Sequence, residues 1–342
     1  PFGVRDGLIP LFFTVALRLF ETEIAVYEDG VFQPEIEENL MMRLAKRPET
    51  FELQLCRIAG IRSELLAEFA NILETAEAAP STLLSIVRPL CLFVDSLPEY
   101  TKHTDNLSKE AIALRQAVNS AKDPAELVFR AIPQTLGFKE IGQERHEAQR
   151  LAKKLEKTIR ELRRAFAELQ NRLTAGILSA ANASDLTLEQ WRTEKAEVAE
   201  QLVVEITDPD LRAFCLKLIE DQSPEGDWLE SLGSFLTRCP PSKWRDKHEL
   251  EFTNRFAELL GKFNRVYATC FHKGKKLSEN AIRLAITGRD GQEISRVIRM
   301  SKADIQKAGQ IEQKINELMS GQPGLALAAI SKVLWDKLKI KQ

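Results

Sequence analysis

The chain has 342 residues, of which 44% are hydrophobic, 29% charged and 7% aromatic. This balance is typical of a folded, helix-rich protein and excludes a largely disordered chain, while the length favours two or three domains. The five cysteines are odd in number and scattered along the chain, which indicates reduced thiols and excludes a small disulfide-stapled domain. The formal net charge is only −2.

The apolar run at 8–17 is too short to span a membrane. It has ten residues, about half of what a spanning helix needs, and Pro10 interrupts it. Arg18 and Glu21 stand where a signal peptide would have its small-residue cleavage site. We therefore expect no membrane segment, no signal peptide and a cytoplasmic location.

The near neutrality of the whole chain conceals acidic and basic regions. Residues 185–240 hold 5 Lys and Arg against 13 Asp and Glu, whereas residues 241–342 hold 20 against 11. Residues 144–184 are also basic, with 9 against 5. Such asymmetry predicts surfaces that bind partners, although it does not identify them.

Residues 1–60 mix helix and strand signals and predict a winged-helix-like unit. The predicted elements are a helix at 8–20 with a buried face, a hairpin at 24–34, a helix at 35–46 and a half-buried strand at 51–58. The hairpin prediction rests on the dipeptide Asp29-Gly30, which suits a tight turn between strands. Because the tip carries Glu28 and Asp29, which would repel DNA, we expect this hairpin to contact protein.

Residues 61–143 have a purely helical pattern and predict a helical bundle. The predicted helices lie near 61–77, 81–97, 105–121 and 124–132. Asp123-Pro124 is a typical helix start, with Asp as the cap and Pro in the first turn.

Residues 144–272 predict an antiparallel two-helix coiled-coil stalk with an acidic helical tip at 185–240. Apolar residues recur at alternating steps of four and three in two segments. The first seam comprises Ala148, Ala152, Leu155, Ile159, Leu162, Phe166, Leu169 and Leu173. The second comprises Phe252, Phe256, Leu259, Phe263, Val266 and Cys270. The tip itself is predicted to be helical, with one helix beginning at Asp208-Pro209.

Residues 273–342 predict a basic β-hairpin followed by two helices, near 302–319 and 325–339. The strands flank the turn sequence at 288–291. The candidate nucleic-acid-binding residues are the cations on and around this hairpin: Lys273, Lys275, Lys276, Arg283, Arg289, Arg296 and Arg299. The alternative is a solvated sheet edge that is protected by charge.

The sequence contains no convincing catalytic or cofactor motif. It has no phosphate-binding loop, no G-x-G-x-x-G and no G-x-S-x-G. Cys239, His248, Cys270 and His272 suggest zinc, but they lack the close ligand pairs that zinc sites use, so buried thiols and surface imidazoles explain them better. We therefore predict no catalytic residues, no metal and no cofactor.

Several short strings resemble the region after the ATPase module in large bacterial phage-defence P-loop proteins, including BREX-type ATPases. These strings are GVRDGLIP, AVYEDGVFQP, RPETF, the DPAELVF segment with its following IP, PPSKW and TGRDGQE. The resemblance implies ATP-driven work on DNA or on defence partners by the whole parent protein. Because the chain carries no Walker A or Walker B element, no catalytic residue follows from the resemblance.

The leading hypothesis is a non-catalytic interaction or scaffold fragment of a larger bacterial ATPase. The start at Pro1, without an initiator Met, favours a piece of a longer polypeptide. We expect protein partners or self-association through the stalk and the acidic tip, with nucleic-acid contact at the C-terminal hairpin. The alternative is a metal-dependent nuclease, for which Pro209-Asp210 and Glu312-Gln313-Lys314 are weak candidates.

Overall fold

The computed structural model describes residues 8–56, 66, 69, 82–138, 145–220, 224–272, 275–276, 280–288, 292–319 and 321–339. These residues are mainly helical with small antiparallel sheets, as the sequence predicts. The chain forms two compact units, one of residues 1–172 with 239–250 and the other of residues 173–238 with 251–342. No helix in the described part of the chain has both the length and the apolar character of a membrane span.

The first unit begins with a small α/β region in the predicted order. Its elements are α1 (Ile9–Leu19), β1 (Ile24–Glu28), β2 (Val31–Gln33), α2 (Glu38–Lys46) and β3 (Phe51–Leu55). The strands form one antiparallel sheet in the order β2-β1-β3. The hairpin is confirmed, because Asp29 and Gly30 both have positive φ, at 51° and 76°, which a tight two-residue turn requires.

Two burial predictions for this region are wrong. In α1 the expected buried face reduces to Leu17, which packs with Val26, Ile36, Leu40 and Leu44 in a small core. In β3 the apolar side chains of the alternating pattern, Leu53 and Leu55, are exposed. β3 is an edge strand that hydrogen-bonds to β1 on one side only, and this pairing does not by itself bury the side chains of Leu53 and Leu55.

A helical region follows, in which the side chains of Ser108 and Asp123 cap two of the helix starts. Its elements are α3 (Leu84–Ser96), α4 (Glu99–His103), α5 (Lys109–Asn119), α6 (Pro124–Glu126), a π-helical turn (Leu127–Ala131) and α7 (Ile132–Thr135). The predicted start at Asp123-Pro124 is confirmed, since Asp123 Oδ1 accepts the backbone N–H of Glu126 at 2.8 Å. The predicted helix at 61–77 lies outside the described residues, apart from Leu66 and Phe69, which are buried.

Helix α8 (Arg145–Ala180) packs its first half into this helical region. The part of its seam from Ala148 to Leu162 shares one core with residues of α3, α5 and the 124–136 segment. Polar contacts reinforce the packing, because Lys154 Nζ donates to the Leu136 carbonyl at 2.8 Å and Glu161 accepts from Ser108. The bundle thus covers a face that the sequence assigned to a partner helix.

The second unit contains the remaining long helices. They are α9 (Leu188–Leu202), α10 (Pro209–Ile219), α11 (Glu225–Thr237) and α12 (Asp246–Cys270), whose first residues belong to the first unit. The aromatic seam of α12 packs on the tip helices, with the Phe256 ring 6.1 Å from Trp191 and 5.8 Å from Phe214 between centroids. Pairing of the α8 and α12 seams as a stalk stays a prediction.

A partly buried polar cluster in the first unit links α4, α8 and the start of α12. Thr104 Oγ1 donates to Asp246 Oδ1 at 2.6 Å, and Arg172 donates to both carboxylate oxygens of Glu249 and to the Tyr100 hydroxyl. Glu249 raises the pKa of Arg172, which therefore remains a cation. Within the first unit, these contacts join α4 and the later part of α8 to the first turn of α12.

The C-terminal region confirms the predicted hairpin and helices. It comprises the short strands β4 (Phe271–His272) and β5 (Lys275–Lys276), the hairpin strands β6 (Asn280–Thr287) and β7 (Glu293–Met300), α13 (Lys302–Met319) and α14 (Pro323–Lys339). Both helices lie near β7. Among the described side chains of residues 280–339, only Leu338 is buried.

Candidate interaction surfaces

The β6–β7 hairpin divides its cations between its two faces. In the antiparallel register Arg299 lies opposite Ala281, Arg283 opposite Val297 and Arg296 opposite Leu284. Because opposite residues share a face and successive residues alternate, Arg283 and Arg299 lie on one face and Arg296 on the other. These three side chains therefore do not line up along one phosphate backbone.

One hairpin cation is already paired. Arg283 Nη2 donates to Glu293 Oε1 at 3.0 Å, on the same face of the hairpin. Lys273 and Arg289 lie outside the described residues, and Lys275 and Lys276 form β5. Nucleic-acid contact at this hairpin stays a prediction.

The face of the hairpin that carries Arg296 and Asn280 is otherwise apolar. Ile282 and Ile298 lie directly opposite each other across the strands, yet 55% and 41% of their surfaces are exposed. Leu284, Ile286 and Ile294 share this face. The hairpin is thus at once a partly charged surface and an apolar one.

The proposed zinc and nuclease residues have other roles in the fold. His248 Nδ1 accepts the backbone N–H of Arg245 at 2.8 Å, and the imidazole stacks on Trp244. Asp208 caps α10, while Asp210 pairs with Arg255 at 3.2 Å. Within the ranges that the structure describes, no three His, Cys, Asp or Glu side chains are grouped so as to hold a metal ion.

All five cysteines lie within the described residues and are free thiols. Burial raises the pKa of Cys91 to about 12 and that of Cys215 to about 11. A buried thiol that remains protonated is a poor nucleophile. These two cysteines therefore serve packing.

An exposed apolar surface of the first unit lies on α1 and its neighbours, and we call it the base apolar surface. Leu11, Phe12 and Leu19 are 58%, 57% and 72% exposed. The other exposed apolar residues of this surface are Leu8, Ile9, Phe13, Val15, Phe20, Met42, Leu53 and Leu55. Contiguous apolar exposure on this scale marks an interaction site in a folded protein.

A groove of about 440 Å³ runs into the base apolar surface between α1, α2 and β3. Its lining includes Ile9, Phe13, Met41, Leu44, Phe51 and Leu53. These side chains are apolar, so the groove suits an aliphatic or aromatic anchor from another polypeptide.

A second cavity in the first unit, of about 450 Å³, is lined by both charged and apolar residues. Arg88 lines it, donates to Glu21 Oε1 at 3.1 Å and to the Ile24 carbonyl at 3.3 Å, and is thereby occupied in holding β1 to α3. Burial lowers the pKa of Arg88, and Glu21 opposes that shift. The carboxylates at its rim, Glu35 and Glu37, share a hydrogen bond that raises the pKa of Glu35.

Sequence reasoning missed a second set of cations, on α8. Exposed Lys and Arg recur there at alternating steps of three and four, on the side of the helix opposite the buried seam: Arg150, Lys153, Lys157, Arg160 and Arg164. The sequence contained this signal, because the cations repeat with the same spacing as the apolar seam but lie half a helical turn away from it.

Comparisons with protein-family models, curated proteins and solved structures found no match to this chain.

Proposed function

We propose that this chain is a non-catalytic interaction module of a larger bacterial ATPase that acts in phage defence or DNA transactions. The observation that carries the proposal is the base apolar surface, where an apolar helix, α1, buries only Leu17 of its described side chains. Leaving so much apolar area in water is unfavourable at about 25 cal/mol per Å². A protein partner that covers α1 and fills the neighbouring groove removes this cost.

The partner of the base apolar surface is another polypeptide, either a second copy of this chain or the ATPase region of the parent protein. An apolar centre with polar residues around it is the usual anatomy of a protein interface. Arg18 and Glu21, which form an exposed ion pair, border α1 on its C-terminal side. The membership in a larger ATPase rests on the sequence resemblance alone.

The winged-helix-like description of residues 1–60 belongs to the same proposal. It is supported by the order helix, hairpin, helix, strand and by the three-stranded antiparallel sheet. At the acidic hairpin tip Glu28 accepts three hydrogen bonds from Arg43, which lower the pKa of Glu28. A wing with such a tip favours protein contact over DNA contact.

The coiled-coil stalk also remains a proposal. The bidentate bond between Arg172 and Glu249 supports it, because it joins α8 to α12. The packing of Ala148 to Leu162 into the bundle limits any stalk to the later part of α8.

The test of the proposed function replaces exposed apolar residues of α1. The variant Leu11→Gln/Phe12→Gln/Leu19→Gln should abolish association with whichever partner binds, while its melting temperature stays close to that of the wild type. Sedimentation velocity of the chain alone tests a second copy, and the same measurement with the separately produced ATPase region tests the second partner.

The matched control is Val204→Gln/Leu216→Gln/Leu250→Gln, which removes three other exposed apolar side chains. This control should associate like the wild type. The proposal is wrong if the wild-type chain binds neither partner at 50 µM, or if the control loses association as completely as the α1 variant.

A further inference from the structure

The cations on the outer side of α8 form one continuous ridge, which we call the α8 ridge. It consists of Arg150, Lys153, Lys157, Arg160 and Arg164, and each side chain is exposed. At 100° per residue the five positions fall within a sector of about 80°, centred opposite the buried seam. The ridge is about 21 Å long at 1.5 Å rise per residue.

The α8 ridge keeps most of its positive charge. Arg150, Lys153 and Arg164 form no ion pair with any residue that the structure describes. Arg160 pairs with Glu156 one turn earlier, and the Lys157 charge helps to lower the pKa of Glu110. Between Arg150 and Arg164 no Asp or Glu falls within the sector of the ridge, although Glu156 and Glu161 flank it on its two sides.

The α8 ridge lacks what a protein interface requires. Interfaces between proteins centre on apolar or aromatic anchors, and the exposed outer positions from Arg150 to Arg164 carry none. Duplex nucleic acid, in contrast, presents a regular negative charge every 3.4 Å or so along each strand. A helix with a cation about every 5 Å places several positive charges along such a backbone without reading its bases.

We propose that the α8 ridge binds the phosphate backbone of duplex DNA without sequence preference. The surface is distinct from the base apolar surface and from the C-terminal hairpin. The inference therefore stands or falls independently of the proposed protein partner. A second copy of the chain, through its exposed acidic α9, is the competing occupant.

The test uses a fluorescent 25-base-pair duplex of arbitrary sequence and the full chain. The ridge variant is Arg150→Gln/Lys153→Gln/Lys157→Gln/Arg164→Gln, which leaves the Arg160–Glu156 pair in place. Each lost phosphate contact reduces the magnitude of the negative slope of log K against log salt by about 0.9. We therefore expect this magnitude to decrease by roughly 3 to 4, and binding to weaken by more than about tenfold in 50 mM salt.

The matched control is Lys109→Gln/Lys122→Gln/Lys243→Gln/Lys247→Gln. It removes the same charge from exposed positions of the same unit and should keep most of the slope. A second variant, Arg283→Gln/Arg296→Gln/Arg299→Gln, measures how much the C-terminal hairpin contributes to DNA affinity.

Five results would overturn the inference, of which the last concerns sequence preference. The first is absence of wild-type binding in 50 mM salt, and the second is an equal loss in the matched control. The third is complete loss in the hairpin variant with none in the ridge variant. The fourth is a change of self-association in the ridge variant at unaltered DNA affinity, which would assign the ridge to a second copy. Sequence preference among three unrelated duplexes would contradict the backbone-only mode.

Discussion

Helix α8 and the β6–β7 hairpin both follow an apolar period in the sequence, yet they bury their apolar side chains to very different extents. Leu155, Ile159 and Leu162 of α8 are almost completely inaccessible to solvent. In the hairpin, Ile282 and Ile298 remain about half exposed although they face each other. The period identifies which side chains share a face, whereas burial depends on whether another element covers that face.

The hairpin is poorly covered because it has only two strands, and α13 and α14, which lie near β7, leave all of its described side chains at least partly exposed. Cross-strand pairs stabilise a sheet by only about 0.2–1 kcal/mol each, so packing must supply the rest. Helix α8, by contrast, lies in a core to which several helices contribute. The apolar face of the hairpin and the base apolar surface are therefore alike, since in both places apolar side chains of a predicted strand or helix remain exposed among the described residues.

The largest expected effect is the loss of a side chain from the α8 core. Leu162→Ala should lower the free energy of unfolding by about 2–5 kcal/mol, because it leaves a cavity among packed side chains. Ile298→Ala in the hairpin should change it by less than about 1 kcal/mol, since surface substitutions rarely do more. Urea unfolding followed by circular dichroism measures both. Equal costs would mean that another part of the chain covers the hairpin face.

A smaller effect is expected from a buried polar contact beside α8. Thr104→Val keeps the shape of the side chain but removes the donor that Asp246 Oδ1 accepts at 2.6 Å. A buried acceptor that loses its donor costs about 1–3 kcal/mol. Thermal unfolding should show this loss.

The hairpin supplies the control for that polar contact. Arg283→Gln removes an ion pair whose Glu293 side chain is half exposed, and such pairs contribute at most about 1 kcal/mol. If Arg283→Gln destabilises the protein more than Thr104→Val, the contrast between a buried and an open polar contact does not hold here.

The sequence predicts this fold best where local chemistry decides it. Asp29-Gly30 determines a turn and Asp123-Pro124 a helix start through the conformational preferences of those residues alone. The strands at Asn280–Thr287 and Glu293–Met300 follow in the same way from alternation around a glycine turn. These predictions required no knowledge of distant neighbours.

Burial and pairing could not be predicted, because they depend on distant parts of the chain. The α8 seam looked like half of a coiled coil, since an apolar stripe is the same whether a bundle or one helix covers it. Likewise the sequence alone did not indicate the ion pair of Arg283, because only the strand register shows that Glu293 lies on the same face of the hairpin. The α8 ridge was missed because the excess of cations at 144–184 shows only their number, whereas their position on one side of the helix follows from the burial of the opposite side.

The smallest effect is expected from Asp208, which caps the start of α10. Like the Arg283–Glu293 pair it is partly exposed to solvent, but its hydrogen bonds are to neighbouring residues of the chain. Asp208 Oδ1 accepts the backbone N–H groups of Asp210 and Leu211, and its Oδ2 lies 3.6 Å from Lys262 Nζ. The backbone hydrogen bond from Leu211 is the main reason that the pKa of Asp208 lies below its ordinary value, and Lys262 adds to it.

Because the folded pKa is the lower one, the stabilisation by the Asp208 charge is fully present above the ordinary aspartate pKa of about 3.9. It is lost as the pH falls through the lowered folded value. Asp208→Asn keeps an efficient cap and removes the charge, so its melting temperature should lie slightly below that of the wild type at pH 7 and converge with it in acid. Asp208→Ala removes the cap as well and should stay less stable than Asp208→Asn at every pH. A constant offset between wild type and Asp208→Asn from pH 7 to pH 2 would show that the carboxylate charge contributes nothing, and that this helix start depends on the cap alone.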